Sequence, residues 1–153
     1  TSTSYSDGDG GAIDVTDNNS NITHPSGFTI INNTAFTNNS AEGYGGAIYT
    51  NSVTAPYLID ISVDDSYSQN NGVLVDENNS AAGYGDGPST AAGGFMYLGL
   101  SEVTFDIADG KTLVIGNTEN DGAVDSIAGT GVITKTGSGD LVLNANNNDF
   151  TGE

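Results

Sequence analysis

An eight-residue motif that occurs twice, forty residues apart, is the feature that most limits what this chain can fold into. Residues 38–45 read Asn-Asn-Ser-Ala-Glu-Gly-Tyr-Gly, and residues 78–85 match them at seven of the eight positions. A second motif, Gly-Gly-Ala-Ile, begins at Gly10 and at Gly45, and a degenerate copy begins at Gly93. Internal copies of this kind are typical of repeat proteins, in which each unit covers the core of its neighbour. They favour a stacked fold over a β-sandwich or a barrel.

Short apolar clusters between these motifs predict β-strands. Within residues 58–63 and 103–107 apolar and polar side chains alternate, which is typical of a strand with one buried face, and residues 113–115 and 141–143 are short apolar runs. No window repeats apolar residues at the spacing of a helix face. The sequence therefore predicts an all-β chain, and the stacked repeats favour a β-solenoid. The apolar residues expected to point inward are Ile13, Ile48, Ile59, Ile61, Phe105, Ile107, Leu113, Ile115, Leu141 and Leu143.

Glycine and asparagine are expected to form the corners between these strands. The chain has 22 glycines, and asparagine is similarly abundant. Asparagine tolerates left-handed backbone angles, and its side chain can hydrogen-bond the asparagine of the next unit. We predict one unit over residues 1–153, with an extruded loop over 76–94, where Gly, Ala, Ser and Asp surround Pro88. Residues 103–152 have the most regular strand spacing.

The charge of the chain restricts its partners. Twenty acidic residues and two lysines give a net charge of −18. Such a surface repels nucleic-acid backbones and anionic lipids, so neither nucleic acid nor direct membrane insertion is expected. The same charge is also explained by the solubility of a secreted protein. No apolar run approaches the length of a membrane-spanning helix.

The C-terminal third carries a regular pattern of glycine, lysine and leucine. Residues 129–143 read GTGVITKTGSGDLVL, and residues 148–152 read NDFTG. These residues resemble the autotransporter-associated β-strand repeat, which has a G-x-G…K-x-G-x-G-x-L-x-L segment followed by N-x-aromatic-x-G. This chain departs from it at Ala145, where the family usually has glycine, and by one extra residue before the asparagine.

The N-terminal half carries a second pair of motifs. Phe36-Thr37-Asn38-Asn39 is followed by Gly-Gly-Ala-Ile at 45–48. This pair resembles the F-x-x-N and G-G-A-I repeats of a related autotransporter class, the polymorphic outer-membrane proteins. At the second copy Asp76 stands where phenylalanine is expected. Only one full pair of the two repeats is therefore present.

Together the resemblances imply a right-handed parallel β-helix, as a fragment of a longer autotransporter passenger. They imply an extracellular position at the bacterial cell surface, where the passenger is attached through a barrel outside these residues or released. The expected function is adhesion or self-association without catalysis. The alternatives are a polysaccharide-processing β-helix enzyme and a pure structural spacer.

Catalytic residues are scarce in the sequence, and no enzyme is predicted. The single histidine, His24, precedes Pro25 and lacks the motif of a serine nucleophile. A polysaccharide hydrolase or lyase needs paired carboxylates, and a lyase needs a base as well. The chain has no arginine, and Lys111 and Lys135 lie far along the sequence from the candidate acids. Those acids are Asp60, Asp64, Asp65, Asp76 and Asp86.

No metal and no cofactor are predicted. Two acidic turns, at residues 7–10 and 117–122, carry closely spaced oxygen ligands. Neither completes a twelve-residue calcium loop, because Ala128 stands where the second turn would need a bidentate glutamate. Acidic turn residues exposed to water explain both stretches.

Two tyrosines are the candidate binding residues. Tyr44 and Tyr84 each lie between two glycines of the repeated eight-residue motif, where a strand interior is not expected. An exposed tyrosine offers a flat apolar face and a hydroxyl to a partner. The expected partners are a host glycan, a host protein receptor or another copy of the same protein. The alternative is that each tyrosine packs over its own glycine-rich turn.

Overall fold

The structure is a computed structural model that describes residues 10–17, 27–31, 35–52, 57–63, 75–77, 79–83, 92–116 and 124–153. Within these residues there are fourteen β-strands and no α-helix. The strands are β1 (Ile13–Asp17), β2 (Gly27–Ile31), β3 (Ala35–Thr37), β4 (Ser40–Ala41), β5 (Ile48–Ser52), β6 (Tyr57–Val63), β7 (Val75–Glu77), β8 (Ser80–Ala81), β9 (Met96–Leu98), β10 (Ser101–Ile107), β11 (Thr112–Ile115), β12 (Ile127–Gly129), β13 (Val132–Thr136) and β14 (Asp140–Leu143).

The strands follow four successive passes of the chain, which we call pass 1 (β1–β4), pass 2 (β5–β8), pass 3 (β9–β11) and pass 4 (β12–β14). Sheet 1 has the order β1-β5-β9-β12, and sheet 2 has the order β13-β10-β6-β2. The two-stranded sheets are β3-β7, β4-β8 and β11-β14. Every strand in these sheets pairs in parallel with a strand of the adjacent pass. The predicted all-β, stacked parallel architecture is confirmed to this extent.

The passes keep register although they differ in length. In sheet 1 the partners Ile13 and Ile48 are 35 residues apart, Ile48 and Met96 are 48 apart, and Met96 and Ile127 are 31 apart. The two copies of the eight-residue motif stack directly, since β4 and β8 pair residue for residue. Differences in length therefore fall between the paired segments.

The core is built from rows of apolar side chains that continue from pass to pass. In sheet 2, Ile61 and Phe105 are register partners and neither is exposed to solvent. The predicted alternation of buried and exposed side chains is present in β10, where every buried residue is followed by an exposed or half-buried one. Of the predicted inward residues, those with at most 1% exposure are Ile48, Ile59, Ile61, Phe105, Ile107, Leu113 and Ile115. The half-buried residues packed against this core include Ile13 and Leu141.

Leu143 departs from the expectation of an inward, covered residue. It is the register partner of the fully buried Ile115, yet 40% of its side chain is exposed. Within the described residues β14 has a partner strand on one side only. A side chain on the core side of such an edge strand is covered from one direction, which explains its exposure.

The Gly-Gly-Ala-Ile motif is explained by close stacking of backbone on backbone. A Cβ atom on Gly46 would overlap the carbonyl oxygen of Gly94, one pass further on. Only glycine permits that approach. The first glycine of each copy has a left-handed φ, with values of 62° at Gly10, 65° at Gly45 and 67° at Gly93.

The predicted extruded loop over 76–94 can include fewer residues than expected, because both ends of this segment belong to the stacked structure. At its start Ser80 and Ala81 form β8, and at its end Ala92 and Gly93 are buried and accept hydrogen bonds from the Gly45–Gly46 corner. Both ends are therefore part of pass 2 and its junction with pass 3. The second copy of the eight-residue motif stacks on the first copy, so its residues in β8 pair with β4 and belong to a sheet. Residues 84–91 lie outside the described residues, so a loop there stays a prediction.

Candidate functional site

Three tyrosines meet on the face of sheet 1 that is turned away from the core. Tyr49 of β5 and Tyr97 of β9 are register partners. Their neighbours Ile48 and Met96 point into the core with no exposure. Because successive side chains of a strand point to opposite faces, the two tyrosines lie on the outer face of the sheet.

Tyr44 joins this pair from the turn before β5. Its ring centroid is 4.8 Å from that of Tyr97, and the planes are tilted by 44°. The centroids of Tyr49 and Tyr97 are 5.6 Å apart, and those of Tyr44 and Tyr49 are 6.4 Å apart. All three distances are within the range of favourable aromatic pairs. The rings form one aromatic surface, which we call the tyrosine cluster.

The glycine-rich turn holds Tyr44 in this position by backbone hydrogen bonds on both sides. The amide of Gly45 donates to the carbonyl of Ala92 at 2.7 Å, and the carbonyl of Tyr44 accepts from the amide of Gly10 at 2.9 Å. The Tyr44 side chain also packs against a small cluster formed by Ala41, Ala81 and Ala92. The residues of the repeated motif thus fix where the tyrosine lies.

The structure changes the expected environment of Tyr44. The side chain is half-buried and packs against two other tyrosines, whereas the sequence suggested an exposed anchor or packing over its own turn. Tyr49 is 8% exposed and Tyr97 is half-buried. The binding role of Tyr44 stays a prediction. Tyr84 lies outside the described residues.

Sequence reasoning missed Tyr49 and Tyr97, although a signal was present. Each tyrosine comes four residues after the first glycine of a Gly-Gly motif, at Gly45 and at Gly93. The second motif was recognised only as a degenerate copy. Aligning its strand with β5 would have placed the two tyrosines side by side.

Carboxylates border the tyrosine cluster. Asp14 of β1 is the register partner of Tyr49 and is exposed. Glu42, two residues before Tyr44, is exposed as well. An aromatic surface in an acidic setting suits stacking of sugar rings, contact with apolar protein groups and attraction of cations, while it disfavours anionic partners.

A ladder of polar side chains runs through the core below this turn. Asn39, in the half-buried corner of pass 1, donates from its backbone N and from Nδ2 to Oδ1 of Asn79, at 3.1 and 2.8 Å. Asn79 donates from N and Nδ2 to Oδ1 of Asp125, at 2.7 and 2.9 Å. The expected hydrogen bond between asparagines of successive units is confirmed, and a buried aspartate continues it into pass 3.

The other sequence candidates do not come together in the described structure. Asp60 is exposed on sheet 2, and only the backbone of Asp76 is described. Within the described ranges no three His, Cys, Asp or Glu residues are grouped so as to hold a metal ion. The candidates outside the described residues are His24, Asp64, Asp65 and Asp86, together with the acidic turn at 117–122 and most of the one at 7–10. In the same described ranges, no helix is long and apolar enough to cross a membrane.

Comparison with known proteins gives one informative similarity. The chain is 94% identical over its 153 residues to the probable autotransporter YfaL of Escherichia coli (strain K12). The match covers 100% of this chain and 12% of that protein, so the chain spans about an eighth of the relative's length. No family model matches the chain, and no solved structure matches it. The similarity to the probable autotransporter supports the autotransporter family for this chain.

Proposed function

We propose that the chain is a passenger segment of an autotransporter, displayed at the bacterial cell surface, that serves adhesion or self-association without catalysis. In this proposal the four passes form a right-handed parallel β-helix that carries binding surfaces on its outer faces. The observation that carries the proposal is the parallel stacking of successive passes around one core, together with the 94% identity to a probable autotransporter.

Continuity of the ladders beyond pass 4 supports the β-helix. Phe150 forms a parallel bridge with Gly129, and the amide of Ile133 donates to the carbonyl of Glu153 at 2.7 Å. Residues 150–153 thus begin to stack on pass 4 as each pass stacks on the one before. Stacked units of this kind form long shafts, because each unit needs only its neighbours. The same stacking supports the repeat types assigned from the sequence.

The tyrosine cluster is the proposed binding surface, with a host glycan, a host protein or another copy of the protein as its partner. Its two half-buried rings, Tyr44 and Tyr97, lie 4.8 Å apart and present a broader contact than one residue would. Aromatic side chains carry a large share of binding energy at interfaces. On a cell, many weak contacts of this kind act together.

The test replaces Tyr44 and Tyr97 with alanine in the full-length protein on cells and measures adhesion to host cells and cell–cell aggregation. We expect adhesion or aggregation to fall about fivefold or more, as for loss of a central aromatic contact. The matched control replaces Val114 and Val142 with serine. These are register partners on the outer face of another sheet, each 38% exposed, so they remove apolar surface elsewhere.

Three outcomes would contradict the proposal in different ways. Equal loss in the control would assign the effect to general surface apolarity. No adhesion or aggregation by the unmodified protein would favour a spacer. Turnover of a polysaccharide by the unmodified protein, abolished by replacement of a single acid, would favour an enzyme.

A further inference from the structure

The outer face of sheet 2 carries a groove at the corner where the chain passes from sheet 1 to sheet 2. Residues 99–102 of pass 3 and 130–132 of pass 4 line it, and its volume is about 170 Å³. This corner groove is separate from the tyrosine cluster, which lies on sheet 1. Its volume equals that of about five or six water molecules in the liquid, so it can hold one long side chain.

Glycine allows passes 3 and 4 to stack closely at the corner groove. A Cβ atom on Gly131 would lie 2.6 Å from the carbonyl oxygen of Ser101 and 2.8 Å from Cβ of Leu98. Only a residue without a side chain fits there. Leu100, at the rim of the groove, is 46% exposed, which makes it the most exposed of the large apolar residues described.

A glutamate lies between two apolar residues next to the groove. Leu58, Glu102 and Val132 are register partners on three neighbouring strands, about 4.8 Å apart from one to the next. Leu58 is 41% exposed and Glu102 is exposed, while their neighbours Ile59 and Val103 are buried. Within the described part of the chain, the Glu102 carboxylate makes no hydrogen bond or ion pair.

Further acids lie on the same face, and the described lysines lie elsewhere. Asp60 and Asp106 are exposed on the outer side of sheet 2, and Asp106 accepts a hydrogen bond from the Thr136 hydroxyl at 2.9 Å. Lys135 occupies the core-side row of Phe105, and its Nζ donates to the carbonyl of Gly137. Lys111 follows β10 outside the strand. The outer face of sheet 2 is therefore apolar at the groove and negative around it.

We propose that the corner groove binds a lysine or arginine side chain of a partner protein. Its methylene stem lies against Leu58, Leu100 and Val132, and its cationic group pairs with Glu102. Long basic side chains combine an apolar stem with a charged end, as this arrangement requires. Arginine fits best, because guanidinium is weakly hydrated and pairs with both oxygens of a carboxylate.

Other occupants fit the groove less well. A purely apolar side chain would cover the Glu102 carboxylate without pairing it, which carries a desolvation penalty. An anionic sugar would meet the repulsion of a segment with a net charge of −18. A second copy of this segment offers two lysines and no arginine. Because arginine fits the groove best, we take the partner to be a different protein with an arginine-containing basic segment.

The spacing of the acids suggests how that segment runs. Glu102 and Asp106 point to the same side of β10, four residues apart, which is about 13 Å along a strand. An extended partner segment with two arginines four residues apart can place one beside each acid. This geometry defines the probe for the test.

The test measures binding of a fluorescent peptide, GRSGSRG, to the full-length protein by anisotropy at low ionic strength. A second peptide has citrulline at both arginine positions, which keeps the shape and removes the charge. We expect the citrulline peptide to bind at least tenfold more weakly. Glu102→Gln and Leu100→Ser should each weaken the arginine peptide about three- to fivefold, as for contacts that remain partly exposed. Glu42→Gln, the same charge change beside the tyrosine cluster, should leave binding unchanged.

The proposal is overturned by any of three results. Equal binding of the citrulline peptide would show that charge plays no part. Equal losses from Glu42→Gln and Glu102→Gln would mean that the peptide senses only net charge. A loss from replacing Tyr44 and Tyr97, with none from Leu100→Ser, would move the site to the tyrosine cluster. Thermal unfolding of each variant verifies that folding is unchanged, as expected for exposed residues.

Discussion

Replacing Asn79 with alanine would remove the middle of the polar ladder between passes 1, 2 and 3. Among the described residues the Asn79 side chain takes part in at least four hydrogen bonds. Two of them accept from Asn39, and two donate from Nδ2, to the carbonyl of Phe36 and to Oδ1 of Asp125. Asn79 and Asp125 have no exposure, and Phe36 is 5% exposed, so water does not readily replace the lost partners.

The expected effect follows from the buried groups that lose a hydrogen bond to the Asn79 side chain. These are the Phe36 carbonyl and the Asp125 carboxylate, and the backbone amide of Asn79 still donates to Asp125. Each buried group that loses its hydrogen bond costs about 1–3 kcal/mol. The Asn39 groups lie in a half-buried corner and regain water more easily. We therefore expect the substitution to lower the free energy of unfolding of this region by about 3–5 kcal/mol.

Hydrogen exchange measured by mass spectrometry on the full-length protein reports this change locally. A loss of about 3 kcal/mol corresponds to amide exchange roughly a hundredfold faster, since each 1.4 kcal/mol is a factor of ten. The affected segments are 39–43 and 79–83, which are hydrogen-bonded to each other, and Asp125, whose amide donates to the carbonyl of Asn79. Asn146→Ala is the matched control, because Asn146 is exposed and accepts one hydrogen bond, from the amide of Asn148 at 3.1 Å. Its effect should be within about 0.5 kcal/mol.

A result below about fivefold faster exchange would refute the argument, since that is about 1 kcal/mol, the net value of a single hydrogen bond. The ladder would then be dispensable, and apolar packing alone would hold the corner. Asn79→Asp offers a second measurement. It places two carboxylates in contact and should be as harmful as alanine at neutral pH.

Three further predictions concern two glycines and one buried hydroxyl. Gly46→Ala should lower the free energy of unfolding by about 3 kcal/mol or more, because its methyl group meets the Gly94 carbonyl. Gly110→Ala, where open space surrounds the new atom and only the left-handed φ of 69° opposes it, should lower it by about 1–2 kcal/mol. Thr50→Val should raise the free energy of unfolding by about 1 kcal/mol, because the Thr50 hydroxyl is buried without a hydrogen-bond partner. Denaturant unfolding of each variant checks these values, and a destabilised Thr50→Val would point to a hydrogen bond with bound water.

The features that could be predicted from the sequence are those that depend on a few neighbouring residues. Alternation in 103–107 places Phe105 and Ile107 inside, because the period of a strand is two whatever its partner. The glycines of the Gly-Gly-Ala-Ile motif and the asparagine ladder are also local signals, since each depends on the backbone angles or donors of one corner. These predictions agree with the structure.

The features that sequence could not predict depend on which residues stack between passes. The tyrosine cluster needs the register of Tyr49 with Tyr97, and the two strands are separated by 48 residues in the sequence. Passes of 35, 48 and 31 residues give no constant period from which to read that register. The edge position of Leu143 likewise follows from the partners of β14 and not from its own sequence. The corner groove arises where two glycine corners of different passes meet.

Because the strands keep register although the passes differ in length, the length of the stack does not depend on how many residues each pass contains. Each added pass advances the stack by one strand spacing, about 4.8 Å, however many residues it contains. The pass between Ile48 and Met96 uses 48 residues for that step, whereas the step from Gly129 to Phe150 uses 21. Lengthening a corner therefore changes what the surface presents without changing its position along the stack. Adding or removing a whole pass changes the length of the stack instead. The surface of the corners and the length of the stack can therefore vary independently in the same chain.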